Sequence, residues 1–187
     1  MHSTRRNLAL RLSSIALAIC LVVGMSAAAF AQAPAIPADW KKVDETTYSI
    51  QYPKDWEVKE SEAERGCRIM APMLTPQDFY SNLHIKISDK SQRGLSLDEW
   101  VTESLGYMKP SLGGKDFSST EKLEGPAGAY YKVTYDADDF GVDVHYVMYY
   151  FMNAKQMAGM LTWRVGVTRS ELYQPTIDSM IGSFQLK

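Results

Sequence analysis

Alternating apolar and polar side chains dominate the second half of the chain. Residues 129–135 alternate with a period of two, as in a half-buried strand, and residues 157–167 repeat the pattern. Between them, residues 142–152 are apolar or aromatic at nearly every position, so both faces of this strand must be covered. Short turns separate the three segments, which predicts an antiparallel sheet between two other layers.

The first two of these strands are expected to form a hairpin around a loop at residues 136–141. Pairing Tyr135 with Val142 keeps apolar residues opposite apolar ones, which is what normally fixes the register of a hairpin. On the other face of the hairpin, the same register places Lys132 opposite His145.

A helix is predicted before these strands. Ser96 and Glu99 have the spacing of a capping box, in which each side chain accepts a hydrogen bond from the backbone amide of the other residue. Apolar residues follow at helical spacing as far as Met108, so this helix is expected to bury one stripe of its surface.

A second helix is predicted at the end of the chain. Residues 168–171 form another capping-box pattern, but Pro175 would clash inside a long helix. We therefore expect a short turn first and the main helix over residues 174–183. The order of strands, helix, strands and helix predicts an α+β fold, in which two long helices cover a mainly antiparallel sheet as an α/β/α sandwich.

The first 31 residues have the organisation of a cleavable export signal. A basic beginning with Arg5, Arg6 and Arg11 precedes an apolar core at residues 15–23, and small residues follow as far as Ala31. The core is short for a bilayer span, which takes about 20 residues. We predict cleavage after Ala31, a periplasmic or secreted location, and no membrane span after cleavage.

Cleavage would leave 156 of the 187 residues, which is the size of one domain. We expect a flexible leader over residues 32–38 and a single domain over residues 39–187. The signal holds three of the 20 basic residues and none of the 22 acidic ones, so the rest carries a net charge of −5. Such an acidic chain is a poor partner for nucleic acid. Cys67 would be the one remaining cysteine, which excludes an intrachain disulfide.

Four carboxylates lie close together along the predicted hairpin loop. Asp136, Asp138, Asp139 and Asp143 fall within a short stretch, and hard cations such as calcium prefer several oxygen ligands. The spacing only partly matches a calcium loop, because the closing glutamate is missing. Aspartate is also an ordinary turn residue, so a calcium site and a plain hairpin turn remain alternatives.

Catalytic motifs are missing from the sequence. It contains no G-x-S-x-G element, and residues 113–116 lack the upstream glycine and the Ser/Thr of a P-loop. Only His84 and His145 would remain after cleavage, which excludes a site with three histidines. We therefore predict that the protein is not an enzyme and carries no resident cofactor.

Aromatic residues of the predicted hairpin are the candidate binding residues. Tyr130, Lys132, His145 and Tyr149 combine aromatic area with polar groups, and tyrosine is common at protein interfaces. The alternative is that the aromatic residues pack the core and the edge of the sheet.

The earliest strands carry a pattern that is similar to a known family. Tyr48, Ile50, Tyr52, Pro53 and Trp56 form the pattern Tyr-x-Ile-x-Tyr-Pro-x-x-Trp, which resembles the opening of the PsbP-like domain, also called the Mog/PsbP fold. Three further segments resemble the family's middle helix, post-turn strand and closing helix: Leu97–Trp100, Gly128–Tyr131 and Ile181–Phe184.

This resemblance implies a binding or assembly factor. The family includes an extrinsic subunit of the oxygen-evolving photosystem, a Ran-binding nuclear protein, and bacterial periplasmic proteins such as DcrB, and the chain looks like a bacterial exported member. We expect a non-enzymatic exported factor that acts on a protein or an envelope component. The alternative is a module that binds a small molecule or calcium, and an envelope hydrolase ranks last.

Overall fold

Ten strands and two α-helices follow one another in the computed structural model, which describes residues 36–61, 65–75, 79–112 and 116–187. The strands are β1 (Lys41–Asp44), β2 (Tyr48–Tyr52), β3 (Glu57–Ser61), β4 (Gly66–Met70), β5 (Asn82–Asp89), β6 (Ser119–Gly125), β7 (Gly128–Asp139), β8 (Val142–Met152), β9 (Met157–Gly166) and β10 (Gln185–Leu186). The helices are α1 (Leu97–Met108) and α2 (Ser170–Ser183), and short 3₁₀ turns follow α1 and precede α2. The predicted signal peptide and most of the predicted leader lie outside the described residues.

The strands form two antiparallel sheets. Seven strands pair in the order β3-β4-β5-β9-β8-β7-β6, and three strands pair in the order β1-β2-β10. The family-like pattern crosses from one sheet to the other: β2 belongs to the small sheet, whereas β3 is an edge strand of the large one. Between them the Trp56 amide donates to the Pro53 carbonyl at 3.1 Å, which closes a turn.

Helix α2 and the small sheet cover one face of the large sheet, and α1 covers the other. On the face with α2, which we call the α2 face, Ile177 and Met180 pack with Val147 and Trp163 of the central strands. On the opposite α1 face, Trp100 forms an edge-to-face contact with Tyr150 at a ring-centroid distance of 5.2 Å. The predicted α+β sandwich, with β8 buried on both sides, is therefore confirmed.

Helix α1 begins as its sequence predicts. The Glu99 amide donates to the Ser96 hydroxyl at 3.3 Å, and the Ser96 amide donates to the Glu99 carboxylate at 2.8 Å, so both halves of the capping box are formed. The helix buries Trp100 and Val101 against the sheet. Local sequence and tertiary packing therefore agree at this helix.

The prediction for the start of α2 was wrong. The helix begins at Ser170 and continues through Pro175, and its N-cap residue, Arg169, makes no side-chain capping bond. Pro175 is exposed and lies near the beginning of the helix. Because proline has no amide hydrogen, the carbonyl four residues earlier, in the first turn, can bond to water instead. Packing of the later turns, which bury Ile177 and Ile181, outweighs the cost of the proline.

The predicted register of the β7–β8 hairpin was also wrong, by four residues. Tyr135 is opposite Tyr146 rather than Val142, and His145 is opposite Asp136 rather than Lys132. The cause is the turn: β7 continues through the predicted loop, and the chain reverses at two residues after Asp139. Because the error is an even number of residues, every side chain still lies on its predicted face.

Neither described helix is long and apolar enough to cross a membrane.

Candidate binding surface

The four predicted binding residues, Tyr130, Lys132, His145 and Tyr149, all lie on the α2 face of β7 and β8. Lys132 is directly opposite Tyr149, whereas His145 is opposite Asp136. They differ in accessibility: Tyr149 is only 2% exposed, and the other three are half-buried. The hairpin therefore brings the predicted residues to one face, but Tyr149 belongs to the core.

Tyr149 is held in that core by other aromatic rings and by α2. Its ring centroid lies 6.4 Å from that of Tyr130, which itself stacks on Phe151 at 5.0 Å. Burial, helped by the Asp178 carboxylate, raises the pKa of the Tyr149 phenol. Tyr149 thus packs in the core, as the alternative interpretation of the aromatic residues expects.

His145 is bonded to a carboxylate at the exposed end of the hairpin. Its Nδ1 lies 2.6 Å from the Asp136 carboxylate, and the Asp136 side chain is 60% exposed. Within the described part of the chain, His145 makes no hydrogen bond to a serine, threonine or cysteine. Among the described residues, His145 is therefore not paired with a nucleophile, as the histidine of a serine or cysteine hydrolase would be.

The acidic residues of the hairpin do not form one cluster. Because β7 extends to its last aspartate, Asp136 and Asp138 lie on the α2 face and Asp139 lies on the α1 face. Asp138 accepts a hydrogen bond from the Gly141 amide at 3.0 Å, as turn aspartates commonly do. Asp143, the second residue of β8, is opposite Asp138. Among the described residues, no group of three or more acidic, histidine or cysteine side chains is arranged to hold a metal.

Exposed apolar side chains mark a different surface, which sequence reasoning missed. Eight large apolar side chains are exposed among the described residues, and seven of them lie at one end of the large sheet, in three connections or at the beginning of the adjoining β8 and α2. The register places the end of β4, the start of β5, the end of β9 and the start of β8 side by side at this end. We call it the apolar loop surface, and its exposed residues are Met73, Leu74, Tyr80, Phe140, Val142, Val167 and Leu172.

Phe140 is the most prominent of these residues. It is fully exposed and occupies the first position of the two-residue turn between β7 and β8, with φ +56°, followed by Gly141 at φ +83°. A turn with two positive φ angles favours asparagine followed by glycine, and a bulky aromatic residue is unusual there. The sequence signal was available, since an x-Gly pair lies between two alternating segments.

A cavity opens between the three connections of the apolar loop surface. Its volume is about 380 Å³. Val142 and Asp143 line it from the hairpin, Val167 and Arg169 from the start of α2, and Phe79 from the β4–β5 connection. Gly141, which follows Phe140 in the turn, also lines this cavity.

An ion pair fixes the hairpin beneath this surface. Asp139, the residue before Phe140, accepts from the Arg164 guanidinium, and the Tyr146 hydroxyl donates to the same carboxylate at 3.2 Å. The guanidinium also lies over two aromatic rings, at 5.3 Å from the centroid of Phe79 and 5.5 Å from that of Tyr146. These contacts connect β7, β8 and β9 and hold the turn in one position.

A larger cavity lies elsewhere, between the small sheet and the edge of the large one. It has a volume of about 640 Å³. Tyr48 and Cys67 line its buried side, and Glu45 and Glu60 lie at its charged rim. Burial raises the pKa of the Cys67 thiol, so this cysteine is a poor nucleophile.

Comparisons with known proteins show similarity in structure only. No protein-family model matches the chain, and no curated protein matches it in sequence. The chain is similar to the solution structure of cyanobacterial PsbP from Synechocystis sp. PCC 6803, with a TM-score of 0.58 and 16% identity over 82% of this chain and 96% of that one.

Two further solved structures are similar. LpqN, which is involved in cell envelope biogenesis of Mycobacterium tuberculosis, matches with a TM-score of 0.54 and 8% identity over 79% of this chain and 91% of that one. The Ran-binding protein Mog1p of Saccharomyces cerevisiae matches with a TM-score of 0.53 and 9% identity over 78% of this chain and 94% of that one. At these identities the comparison establishes the fold, and the chain therefore has the Mog/PsbP fold that its strand and helix motifs predict.

Proposed function

We propose that this protein is a non-catalytic, exported binding or assembly factor that engages a protein or envelope component through the apolar loop surface. The observation that carries this proposal is Phe140, a fully exposed aromatic side chain with a positive φ at the tip of a hairpin. Strained and exposed positions of this kind are concentrated at functional sites.

Folding gives no reason for an aromatic residue at this position. The side chain buries no area in the protein, and asparagine would suit the turn better. The six other exposed apolar side chains of the same surface also remain in contact with water. Exposed apolar side chains that gather at one end of a sheet are candidates for an interaction site.

Proteins of the same fold support a binding role. Mog1p is a Ran-binding protein, and LpqN is involved in cell envelope biogenesis. The signal-like residues 1–31 support a location outside the cytoplasm. The partner we propose is accordingly a protein or another component of the envelope.

Affinity capture from the envelope fraction tests the proposal. The parent protein should retain a partner that Phe140→Asn loses, because that variant removes the exposed ring and keeps the turn. Tyr107→Asn is the matched control, since Tyr107 is an exposed aromatic residue on α1, outside the apolar loop surface. Equal recovery with all three proteins would refute a role for this surface.

A second candidate function is the binding of a small molecule in the cavity between the two sheets. Its favouring observation is size, because about 640 Å³ is enough for a drug-sized ligand. Native mass spectrometry of the purified protein would reveal a bound ligand. A calcium titration followed by thermal shift tests the metal form of this alternative, with Asp138→Asn as the variant that should abolish any calcium response.

A further inference from the structure

We infer that the partner presents a basic, apolar peptide segment to the apolar loop surface, with apolar side chains at the cavity and lysine or arginine side chains at its rim. This inference rests on the proposed function and adds the chemistry of the partner. It follows from the charges that surround the exposed apolar residues.

Exposed carboxylates flank the hairpin tip. Asp138 and Asp143 are directly opposite each other across β7 and β8, on the same face, and both are exposed. Like charges in directly opposite positions destabilise a hairpin. Asp143 forms no salt bridge within the described residues, and it lines the same cavity as Val142 and Val167. A basic partner would relieve this repulsion.

Two positive charges lie nearby. Arg164 is bound by Asp139 beneath the surface, and Arg169 lines the cavity. Glu171 adds a further exposed carboxylate in the first turn of α2. Among the described residues, the three exposed carboxylates outnumber Arg169, so the rim of the apolar loop surface carries a net negative charge.

An acidic rim argues against two other occupants. In a symmetric contact, a second copy of this chain would bring its own Asp138 and Asp143 close to the same residues, and such like charges oppose association. An anionic lipid surface would be repelled in the same way. A basic partner gains from the same charges, through faster association and through correct orientation of its apolar side chains.

Two labelled peptides test the inference against protein purified from the envelope. Both contain the same leucine and phenylalanine core, and one is flanked by lysines and the other by glutamates. Fluorescence anisotropy should show that the lysine peptide binds about fivefold tighter than the glutamate peptide, and added salt should reduce this difference.

Variants separate the charge from the apolar contact. Asp143→Asn should lower the affinity for the lysine peptide by about twofold and should not lower the affinity for the glutamate peptide. Glu124→Gln, a neutralised exposed carboxylate at the opposite end of the sheet, should change neither affinity. Phe140→Asn should lower the affinity for both peptides.

The possible failures are distinguishable. Equal binding of both peptides, lost in Phe140→Asn, would overturn the basic partner and leave the proposed function intact. Absence of binding by either peptide, together with no Phe140-dependent capture from the envelope, would overturn both. Sedimentation that shows a dimer of the parent protein, absent in Phe140→Asn, would assign the surface to a second copy and would also overturn the inference.

Discussion

The two ends of the large sheet are built from the same strands but with different residues. At the end opposite the apolar loop surface, the β8–β9 turn is polar, and Asn153 accepts hydrogen bonds from the amides of Lys155 and Met157 at 3.0 and 3.1 Å. The connection after β5 is also polar and begins with Lys90. At the apolar end, exposed side chains such as Phe140 have no comparable partners in the turn.

The two turns of β7 show the contrast most directly. At its beginning, the turn from Gly125 to Gly128 uses small residues and proline, and Gly128 has φ +99°, which glycine adopts without strain. At its end, Phe140 adopts φ +56° although it is bulky. The first turn meets the requirements of folding, whereas the second departs from them. We attribute this departure to the binding role proposed above.

The largest expected effect concerns the ion pair beneath the apolar end. Asp139→Asn removes the carboxylate that binds Arg164, so a half-buried guanidinium loses its counter-charge. We expect the free energy of unfolding to fall by about 2 kcal/mol, measured by urea denaturation. Asp143→Asn is the control, since that carboxylate is exposed and unpaired among the described residues. The free energy of unfolding should not fall in this variant. Equal losses in both variants would show that the pair does not fix the apolar end.

Alkaline pH should also lower the free energy of unfolding, through a tyrosine beneath the apolar end. Burial raises the pKa of Tyr135 to about 12, whereas an unfolded tyrosine titrates near 10. Between these values the folded protein holds the proton that the unfolded chain releases, so stability falls as pH rises. We expect Tyr135 to contribute about 1 kcal/mol of the loss between pH 9 and 11, after allowance for solvent screening.

Urea denaturation at both pH values measures this contribution. Tyr135→Phe should lose less stability than the parent over this interval, because the ring is kept and the ionisable hydroxyl is removed. Tyr107→Phe, at an exposed ring, should follow the parent. A pH dependence in Tyr135→Phe as steep as that of the parent would contradict the prediction.

At the polar end, the turn should depend on its own side chain. Asn153→Ala removes the hydrogen bonds to the amides of Lys155 and Met157, and we expect a loss of about 1 kcal/mol in the free energy of unfolding. Lys155→Ala, at an exposed position of the same turn, should change stability little. If both variants were neutral, the hydrogen bonds of Asn153 would not stabilise the turn at the polar end.

The smallest expected effect is a gain of stability at the apolar end. Phe140→Asn places the preferred residue in the turn and should raise the free energy of unfolding by about 0.5 kcal/mol. The same urea experiment measures the change, with Tyr107→Asn as the control. A clear loss of stability would mean that the Phe140 ring packs against the protein, and the contrast between the two ends would no longer hold.

Much of the fold could be predicted because it depends on periodic burial. The alternation in β7 and the two-sided apolar pattern of β8 indicate a sheet covered on both faces, and the Ser96 capping box locates α1. The register of the β7–β8 hairpin could not be obtained in this way, because an even shift preserves the faces and pattern alone does not distinguish between such shifts. Pro175 misled the prediction of α2, because local propensity yields to the packing of later turns.

The candidate surface was harder to predict than the fold. Tyr130, Lys132 and His145 do share a face, as strand alternation requires, but Tyr149 is covered by α2 and other rings. The aspartates of the hairpin suggested a common site along the chain, yet the length of β7 places Asp139 on the opposite face.

The sequence by itself determined the alternation of faces, the covered antiparallel sheet and the likeness to the Mog/PsbP fold, because these follow from local periodicity and short motifs. Only the tertiary structure decided which ends of distant strands lie together. Met73, Phe140 and Val167 are far apart along the chain, and the pairing of β4, β5, β9 and β8 brings their connections to one end of the sheet. Exposure is the outcome of all packing contacts together, so an apolar residue left in water becomes visible only when the fold is complete.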